Sequence, residues 1–188
     1  MSNEKWDKKY LTAADPGEAV TVLTKNLHLL PDNGRAIDVA CGLGANALLM
    51  AEQGLQVDAW DYSSVALDRL NQFARQKNLA INTRLIDLET REEWQDKFDV
   101  IVVSNFLFRP LAKQICLALN SNGLLFYETF TQQKCGDHGP SNPEFLLAKN
   151  ELLSLFIELK PVIYSEERDC GDISQGFRNK AFLIARKD

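Results

Sequence analysis

Residues 36–46 of the chain read AIDVACGLGAN. The first five form a short apolar run, and Gly42 and Gly44 follow it closely enough to make a tight turn. Residues 45–53 have the composition of a helix, so the stretch predicts a strand, a glycine turn and a helix in direct succession. This succession is typical of a parallel βαβ unit, in which a helix packs on a sheet of parallel strands.

Short apolar runs and longer helical patterns alternate along the rest of the chain. The predicted strands cover residues 36–40, 56–60, 81–86, 98–103, 123–130, 161–166 and 179–186. The predicted helices cover residues 16–30, 45–53, 64–77, 110–119 and 150–156, and Ser63 is the predicted cap of the third. We therefore expect one α/β domain over residues 1–188. It should have a doubly wound, Rossmann-like sheet of seven strands, mostly parallel with an antiparallel edge strand, and helices on both faces.

Composition and charge narrow the possible functions. Of the 188 residues, 45% are apolar and 25% charged, which is typical of a globular domain. A net charge of −5 and scattered basic residues argue against nucleic acid as a partner. The start has no leader-like apolar segment, and no run reaches the roughly 18 apolar residues of a membrane span. We expect a cytoplasmic protein, monomer or homodimer, without a membrane partner.

The cysteines and histidines do not form a metal motif. The chain has four cysteines and two histidines, and none of them is spaced as metal ligands are. They are Cys41, Cys116, Cys135, Cys170, His28 and His138. We therefore expect reduced thiols and no bound metal.

Acidic residues follow the first three predicted strands or lie within them. In open α/β sheets, ligands bind outside the carboxyl ends of the strands, where Gly42 and Gly44 let the backbone approach them. Asp61 lies 17 residues after Gly44, a spacing typical of carboxylates that accept hydrogen bonds from a ribose. Asp87 ends the third strand and could accept from an adenine amino group. Alternatively, the glycines form only a tight turn, Asp61 complements a helix dipole, and Asp87 is a solvated acid.

This set of acids resembles that of the class I S-adenosylmethionine-dependent methyltransferases. Two further segments resemble the small bacterial branch with tellurite-resistance and thiopurine-type enzymes: Trp6-Asp7-Lys8-Lys9-Tyr10, and the NPEFLL stretch of residues 142–147. The resemblance implies transfer of a methyl group from S-adenosylmethionine to a small-molecule acceptor, such as a thiol or a chalcogen oxyanion. Residues 1–15 would form a lid, and residues 131–147 a loop on the substrate side.

The resemblance also implies which residues bind the cofactor. They are Trp6, Tyr10, Asp38, Cys41, Gly42, Gly44, Asp61, Tyr62, Asp87, Leu88, Ser104, Asn105 and Phe106. No catalytic residue is implied, although Tyr127, Glu128 and His138 are candidates for an optional general base. Ala40 stands where many relatives have glycine.

Two alternative functions remain open. An NAD-dependent oxidoreductase shares the strand, the glycine turn and the distal acid, but the third glycine of its motif is missing here. A non-catalytic domain that binds S-adenosylmethionine is the other alternative, because this class of enzyme has no invariant catalytic side chain.

Overall fold

A central sheet organises the structure, a computed structural model that describes residues 3–90, 93–136 and 139–188. The strands are β1 (Arg35–Val39), β2 (Gln56–Asp61), β3 (Ile81–Leu85), β4 (Phe98–Ser104), β5 (Leu119–Phe130), β6 (Lys160–Ser165) and β7 (Lys180–Arg186). They form one seven-stranded sheet in the order β3-β2-β1-β4-β5-β7-β6. The expected doubly wound sheet is therefore confirmed.

Strands β1 to β5 are parallel, and β7 is antiparallel to both of its neighbours, β5 and β6. Val39 of β1 lies opposite Trp60 of β2 on one side and Val103 of β4 on the other. The chain first builds outward from β1 to β3 and then returns to the other side with β4. The strand order therefore reverses between β1 and β4, and a crevice is expected beyond their carboxyl ends.

Helices cover both faces of the sheet. They are α1 (Asn3–Leu11), α2 (Thr21–Thr24), α3 (Ala45–Glu52), α4 (Ser64–Gln76), α5 (Leu111–Ala118) and α6 (Glu151–Leu155). Successive strand side chains point to opposite faces, so Ala36 packs with α2, α3 and α4 whereas Ile37 packs with α5 and α6. The two hydrophobic cores lie on either side of β1 and hold its carboxyl end in place.

The predicted helix over residues 16–30 is wrong. Only α2 and a short 3₁₀ turn at Leu27–Leu29 form there. The β-branched residues around Val22 have low helix propensity, and Gly17 has a φ of 77°. The amide of Val22 donates instead to Oε2 of Glu128 on β5, at 2.8 Å. Tertiary hydrogen bonds thus replace helical ones in this segment.

The predicted cap of α4 is confirmed, because Oγ of Ser63 accepts a hydrogen bond from the amide of Ala66 at 3.2 Å. The predicted helix over residues 110–119 ends one residue early at Ala118, and β5 already begins at Leu119, ahead of the predicted strand over residues 123–130. Among the helices of the described ranges, none is both long and apolar enough to cross a membrane.

Candidate functional site

The glycine turn after β1 forms the floor of the crevice. Ala40, Gly42 and Gly44 all have positive φ, of 55°, 52° and 78°. For an alanine this conformation costs about 1–2 kcal/mol, so a glycine at position 40 would be less strained. A Cβ on Gly44 would lie 2.3 Å from Cδ1 of Leu70, so the close approach at Gly44 is to α4. A Cβ on Gly42 would instead lie 3.0 Å from the hydroxyl of Tyr10.

Asp61, at the carboxyl end of β2, is buried and holds two turns together. Its Oδ2 accepts from the amide of Gly42 at 2.8 Å, and its Oδ1 accepts from the amide of Ser63 at 2.9 Å. Burial raises the pKa of this carboxyl, and the backbone hydrogen bonds oppose the shift. Each carboxylate oxygen can accept a further bond, so the group can still receive ligand hydroxyls.

Asp38 is fully buried on β1. Its Oδ2 accepts from the amide of Ala47 at 3.1 Å, and its Oδ1 accepts from the side-chain amide of Asn46 at 3.4 Å. Burial raises its pKa to about 7, against these hydrogen bonds. Asn46 also donates to Oγ of Ser104 at 3.0 Å and accepts from the amide of Val20, so it connects β1, β4 and the start of α2.

Neutral amide groups hold the two buried carboxylates. Within the described residues, neither Asp38 nor Asp61 forms an ion pair with a Lys, Arg or His side chain. Cys41 is buried, and burial raises the pKa of its thiol, with a smaller contribution from the charges of Asp38 and Asp61. Cys41 is therefore a protonated core thiol.

The residues after β2 and β3 lie at the same edge of the sheet as the glycine turn. Leu85 pairs with Asp61, and the amide of Ile86 donates to the carbonyl of Asp61 at 2.9 Å. Asp87 follows and is exposed, with its Oδ1 accepting from the amide of Glu89 at 2.9 Å. Leu88 turns inward and is only 6% exposed. Tyr62, directly after Asp61, is half-buried.

The segment after β4 forms one wall. Asn105 is exposed with a φ of 52°, and its amide donates to the carbonyl of Glu128 at 2.9 Å. Phe106 is half-buried, and its carbonyl accepts from the hydroxyl of Tyr127 at 2.9 Å. Burial raises the pKa of Tyr127 well above its ordinary value. A buried hydroxyl that donates its proton in this way is not suited to act as a general base.

The other two candidates for a general base are Glu128 and His138. The carboxylate of Glu128 is buried and paired with Nζ of Lys180 at 2.9 Å, and it also accepts from the amide of Val22. Lys180 therefore neutralises the charge of this carboxylate within the fold. His138 lies outside the described residues, so its suggested role stays a prediction.

Helix α1 lies beside this site and packs against α4. The rings of Trp6 and Tyr10 are stacked with centroids 5.8 Å apart. A cleft of about 240 Å³ opens between α1 and the glycine turn, lined among others by Lys9, Tyr10 and Leu43. Of the two aromatic residues predicted to cover the cofactor, Tyr10 reaches the glycine turn, and Trp6 stacks on Tyr10.

The substrate-side loop over residues 131–147 is anchored at both ends. Thr131 forms a parallel bridge with Leu147, and the amide of Thr131 donates to the carbonyl of Asn179 at 3.0 Å. Arg109 binds both carboxylate oxygens of Glu151, at 2.6 and 3.0 Å, and donates to the carbonyls of Glu144 and Leu146. No local pattern predicts the roles of Asn46, Arg109 and Asn179, because their partners are distant in the chain.

Solved structures define the class of the fold. The structure matches the crystal structure of TehB from Haemophilus influenzae with a TM-score of 0.73 at 25% identity, over 99% of this chain and 67% of that one. It also matches a TehB-like S-adenosylmethionine-dependent methyltransferase from Corynebacterium glutamicum with a TM-score of 0.69, over 99% of this chain and 98% of that one. Identity to the latter is 17%, so this likeness concerns the fold alone. The fold is that of the Rossmann-like methyltransferases.

Sequence comparison gives the family. The family model for tellurite resistance protein TehB matches residues 2–123, and the chain belongs to the TehB family. A probable S-adenosyl-L-methionine-dependent methyltransferase TehB of Haemophilus influenzae is 30% identical over 97 residues, which are 52% of this chain and 32% of that protein. The chain covers about a third or less of each curated relative it matches. The resemblance to the tellurite-resistance branch is confirmed.

Proposed function

We propose that this chain binds S-adenosylmethionine and transfers its methyl group to a small-molecule acceptor. The observation that carries the proposal is the pair of buried carboxylates, Asp38 and Asp61, which flank the glycine turn without an ion-pair partner in the described part of the chain. Buried charges are costly unless they are paired, so this arrangement favours a ligand with positive charge and hydroxyl groups. S-adenosylmethionine has a sulfonium, an ammonium and a ribose.

The residues of the crevice fit the parts of this cofactor. Asp61 would accept hydrogen bonds from the ribose hydroxyls in addition to its two backbone bonds. Asp38, oriented by Asn46, would hold the loop or meet the ammonium group through water. Tyr62 would lie against the adenine, and Asp87 would accept from its amino group. Family membership supports these assignments, because the relatives are named S-adenosylmethionine-dependent methyltransferases.

Leu88 and the remaining cofactor residues would complete the enclosure. Gly42 and Gly44 shape the turn, and the backbone of Ser104 and Asn105 would border the sulfonium side. Cys41 would contribute only through its backbone, because its thiol is buried in the core beside Asp38. The chain then needs no side chain of its own as a nucleophile.

The cofactor supplies a methyl group already activated on a sulfonium. The chain therefore has to orient an acceptor in line with that methyl group and exclude water, which is where binding geometry yields most of the rate. Phe106 would form the wall on one side, held by the hydroxyl of Tyr127. Trp6 and Tyr10 would close the other side, with residues 1–15 acting as a lid.

The acceptor is proposed to be a thiol or a chalcogen oxyanion. Support comes from the family, which is named for tellurite resistance. Residues 131–147 would bind it, because this loop is anchored beside β5 with its ends held by Leu147 and Asn179. Soft nucleophiles of this kind need little help from a general base. This agrees with the structure, in which Tyr127 donates to the carbonyl of Phe106 and Glu128 is paired with Lys180.

Titration calorimetry tests the cofactor, and a transfer assay tests the reaction. We expect S-adenosylhomocysteine to bind and NAD not to bind; the reverse would establish the oxidoreductase alternative. Labelled methyl transfer from S-adenosylmethionine is then measured with dithiothreitol, selenite and tellurite. Binding of S-adenosylhomocysteine without transfer to any of these acceptors would favour the non-catalytic alternative.

A further inference from the structure

Helix α1 is attached to the site at two points on one of its faces. Asp7 and Tyr10 are three residues apart and therefore neighbours on the helix surface. Oδ1 of Asp7 accepts a hydrogen bond from the hydroxyl of Ser63. The hydroxyl of Tyr10 lies against Gly42, where it would be 3.0 Å from an added Cβ. Beyond the helix, the guanidinium of Arg69 donates to the carbonyl of Ala13.

The two attachment points are joined by one carboxylate. Oδ1 of Asp61 accepts from the amide of Ser63, and Oδ2 accepts from the amide of Gly42. Asp7 therefore binds Ser63, and Ser63 in turn binds Asp61, the carboxylate proposed to receive the ribose. If α1 moves away, the hydroxyl of Ser63 loses its acceptor, Asp7. Gly42 at the same time loses its contact with Tyr10.

Ser63 is well suited to connect the helix to the site. Its side chain is completely buried, its oxygen caps α4 by accepting from the amide of Ala66, and its hydroxyl proton goes to Asp7. A buried hydroxyl with a carboxylate acceptor forms a charge-assisted hydrogen bond, which is roughly twice as strong as a neutral one. The Asp7 contact is thus specific and strong enough to hold a short helix in position.

We propose that Asp7 is a positioning residue that latches α1 closed over the cofactor site through the hydroxyl of Ser63. The inference rests on the proposed function, because it assigns the latch to the site where S-adenosylmethionine would bind. Asp7 touches neither Asp38 nor the glycine turn in this role. Its removal deletes none of the proposed cofactor residues but frees α1, with Tyr10, to move away, and the bound ligand then escapes faster.

The first experiment compares Asp7→Ala with Lys8→Ala, a change at an exposed neighbouring position on the same helix. S-adenosylhomocysteine affinity is measured by calorimetry and its dissociation rate by stopped-flow fluorescence. We expect Asp7→Ala to raise Kd about tenfold, chiefly through faster dissociation, and Lys8→Ala to stay within about twofold. If Asp7 only stabilises the fold, Asp7→Ala would lower the melting temperature of the free protein. It would then leave Kd unchanged at a temperature where the protein is folded.

The second experiment asks whether Asp7 acts through Ser63. In a Ser63→Gly background the hydroxyl is absent, while glycine remains acceptable as a helix cap. Asp7→Ala should then add less than about a twofold loss of affinity, as expected for two members of one interaction. An equal loss in both backgrounds, or an Asp7→Ala variant that binds like the wild type, overturns the latch. A wild-type chain that does not bind S-adenosylhomocysteine overturns the proposed function itself.

Discussion

The amide of Gly42 donates a hydrogen bond of 2.8 Å to Oδ2 of Asp61, and this bond joins the turn after β1 to the end of β2. The glycine turn and the second acidic position are therefore one structural unit. The carboxylate fixes the conformation of the turn and, in the proposed function, also receives the ribose. A change at Asp61 acts on both roles at once.

Asp61→Ala should weaken S-adenosylhomocysteine binding by about 1.5–3 kcal/mol, the range for hydrogen bonds to a charged group. Stability should fall as well, because the amides of Gly42 and Ser63 lose their acceptor. Calorimetry gives the first quantity and thermal unfolding the second. Asp61→Asn is the control, since its oxygen can replace one of the two acceptors. Undiminished affinity in Asp61→Ala would remove the ribose assignment.

Asp38 should make the ligand-free protein less stable as the pH rises from about 4 to about 7. Its pKa is raised by burial from 3.8 to about 7 in the folded state. Across that interval the folded protein retains a proton that the unfolded chain has lost, so unfolding becomes progressively easier. The dependence fades below about pH 3.8, where the unfolded chain is protonated as well, and above about pH 7, where the folded protein is ionised as well.

Asp38→Asn isolates this effect, because asparagine keeps the shape and does not ionise. Unfolding free energies of both proteins are measured at pH 5 and pH 8. The wild type should lose more stability than the variant between these values, although Asp61 contributes a similar dependence to both proteins. Parallel pH profiles would show that Asp38 is already ionised in the folded protein.

Gly44→Ala should destabilise the fold by about 2–5 kcal/mol. A left-handed conformation costs an alanine about 1–2 kcal/mol, and overpacking costs about 1–3 kcal/mol more, since the Cβ would lie 2.3 Å from Cδ1 of Leu70. Gly17→Ala is a matched control, because Gly17 has a similar φ of 77° and nothing within 4 Å of an added Cβ. It should lose only the conformational part. Equal losses at both positions would contradict the packing argument.

The strand pattern and the cap of α4 could be predicted because their causes are local. Apolar runs mark buried strands, and Ser63 caps a helix through an amide three residues away. The failed helix over residues 16–30 has a distant cause. The amide of Val22 bonds to Glu128, which is 106 residues further along the chain, and no local pattern indicates such a partner.

The same distinction holds within the site. Asp61 was predicted from its position after a strand, and the topology of parallel strands brings it to the glycine turn. Asn46 was missed, because its importance depends on Ser104, 58 residues away. Asp38 was predicted only through family resemblance, and its raised pKa depends on burial that the sequence does not reveal.

Arg109→Ala should loosen the substrate-side loop without affecting the cofactor. The guanidinium binds both oxygens of Glu151 and the carbonyls of Glu144 and Leu146, and thereby fastens the end of the loop to the segment after β4. Its side chain is 34% exposed, so solvent screening limits the expected loss of stability to about 1 kcal/mol. Trypsin cleavage at Lys134, within the loop, should become faster.

The readouts for Arg109 separate the loop from the cofactor site. S-adenosylhomocysteine affinity should remain within about twofold of the wild type, because Arg109 contacts none of the proposed cofactor residues. Arg109→Lys keeps the positive charge but cannot form the bidentate pair with Glu151, so its cleavage rate should be intermediate. A variant that loses cofactor affinity while its loop stays as protected as in the wild type would place the role of Arg109 at the cofactor instead.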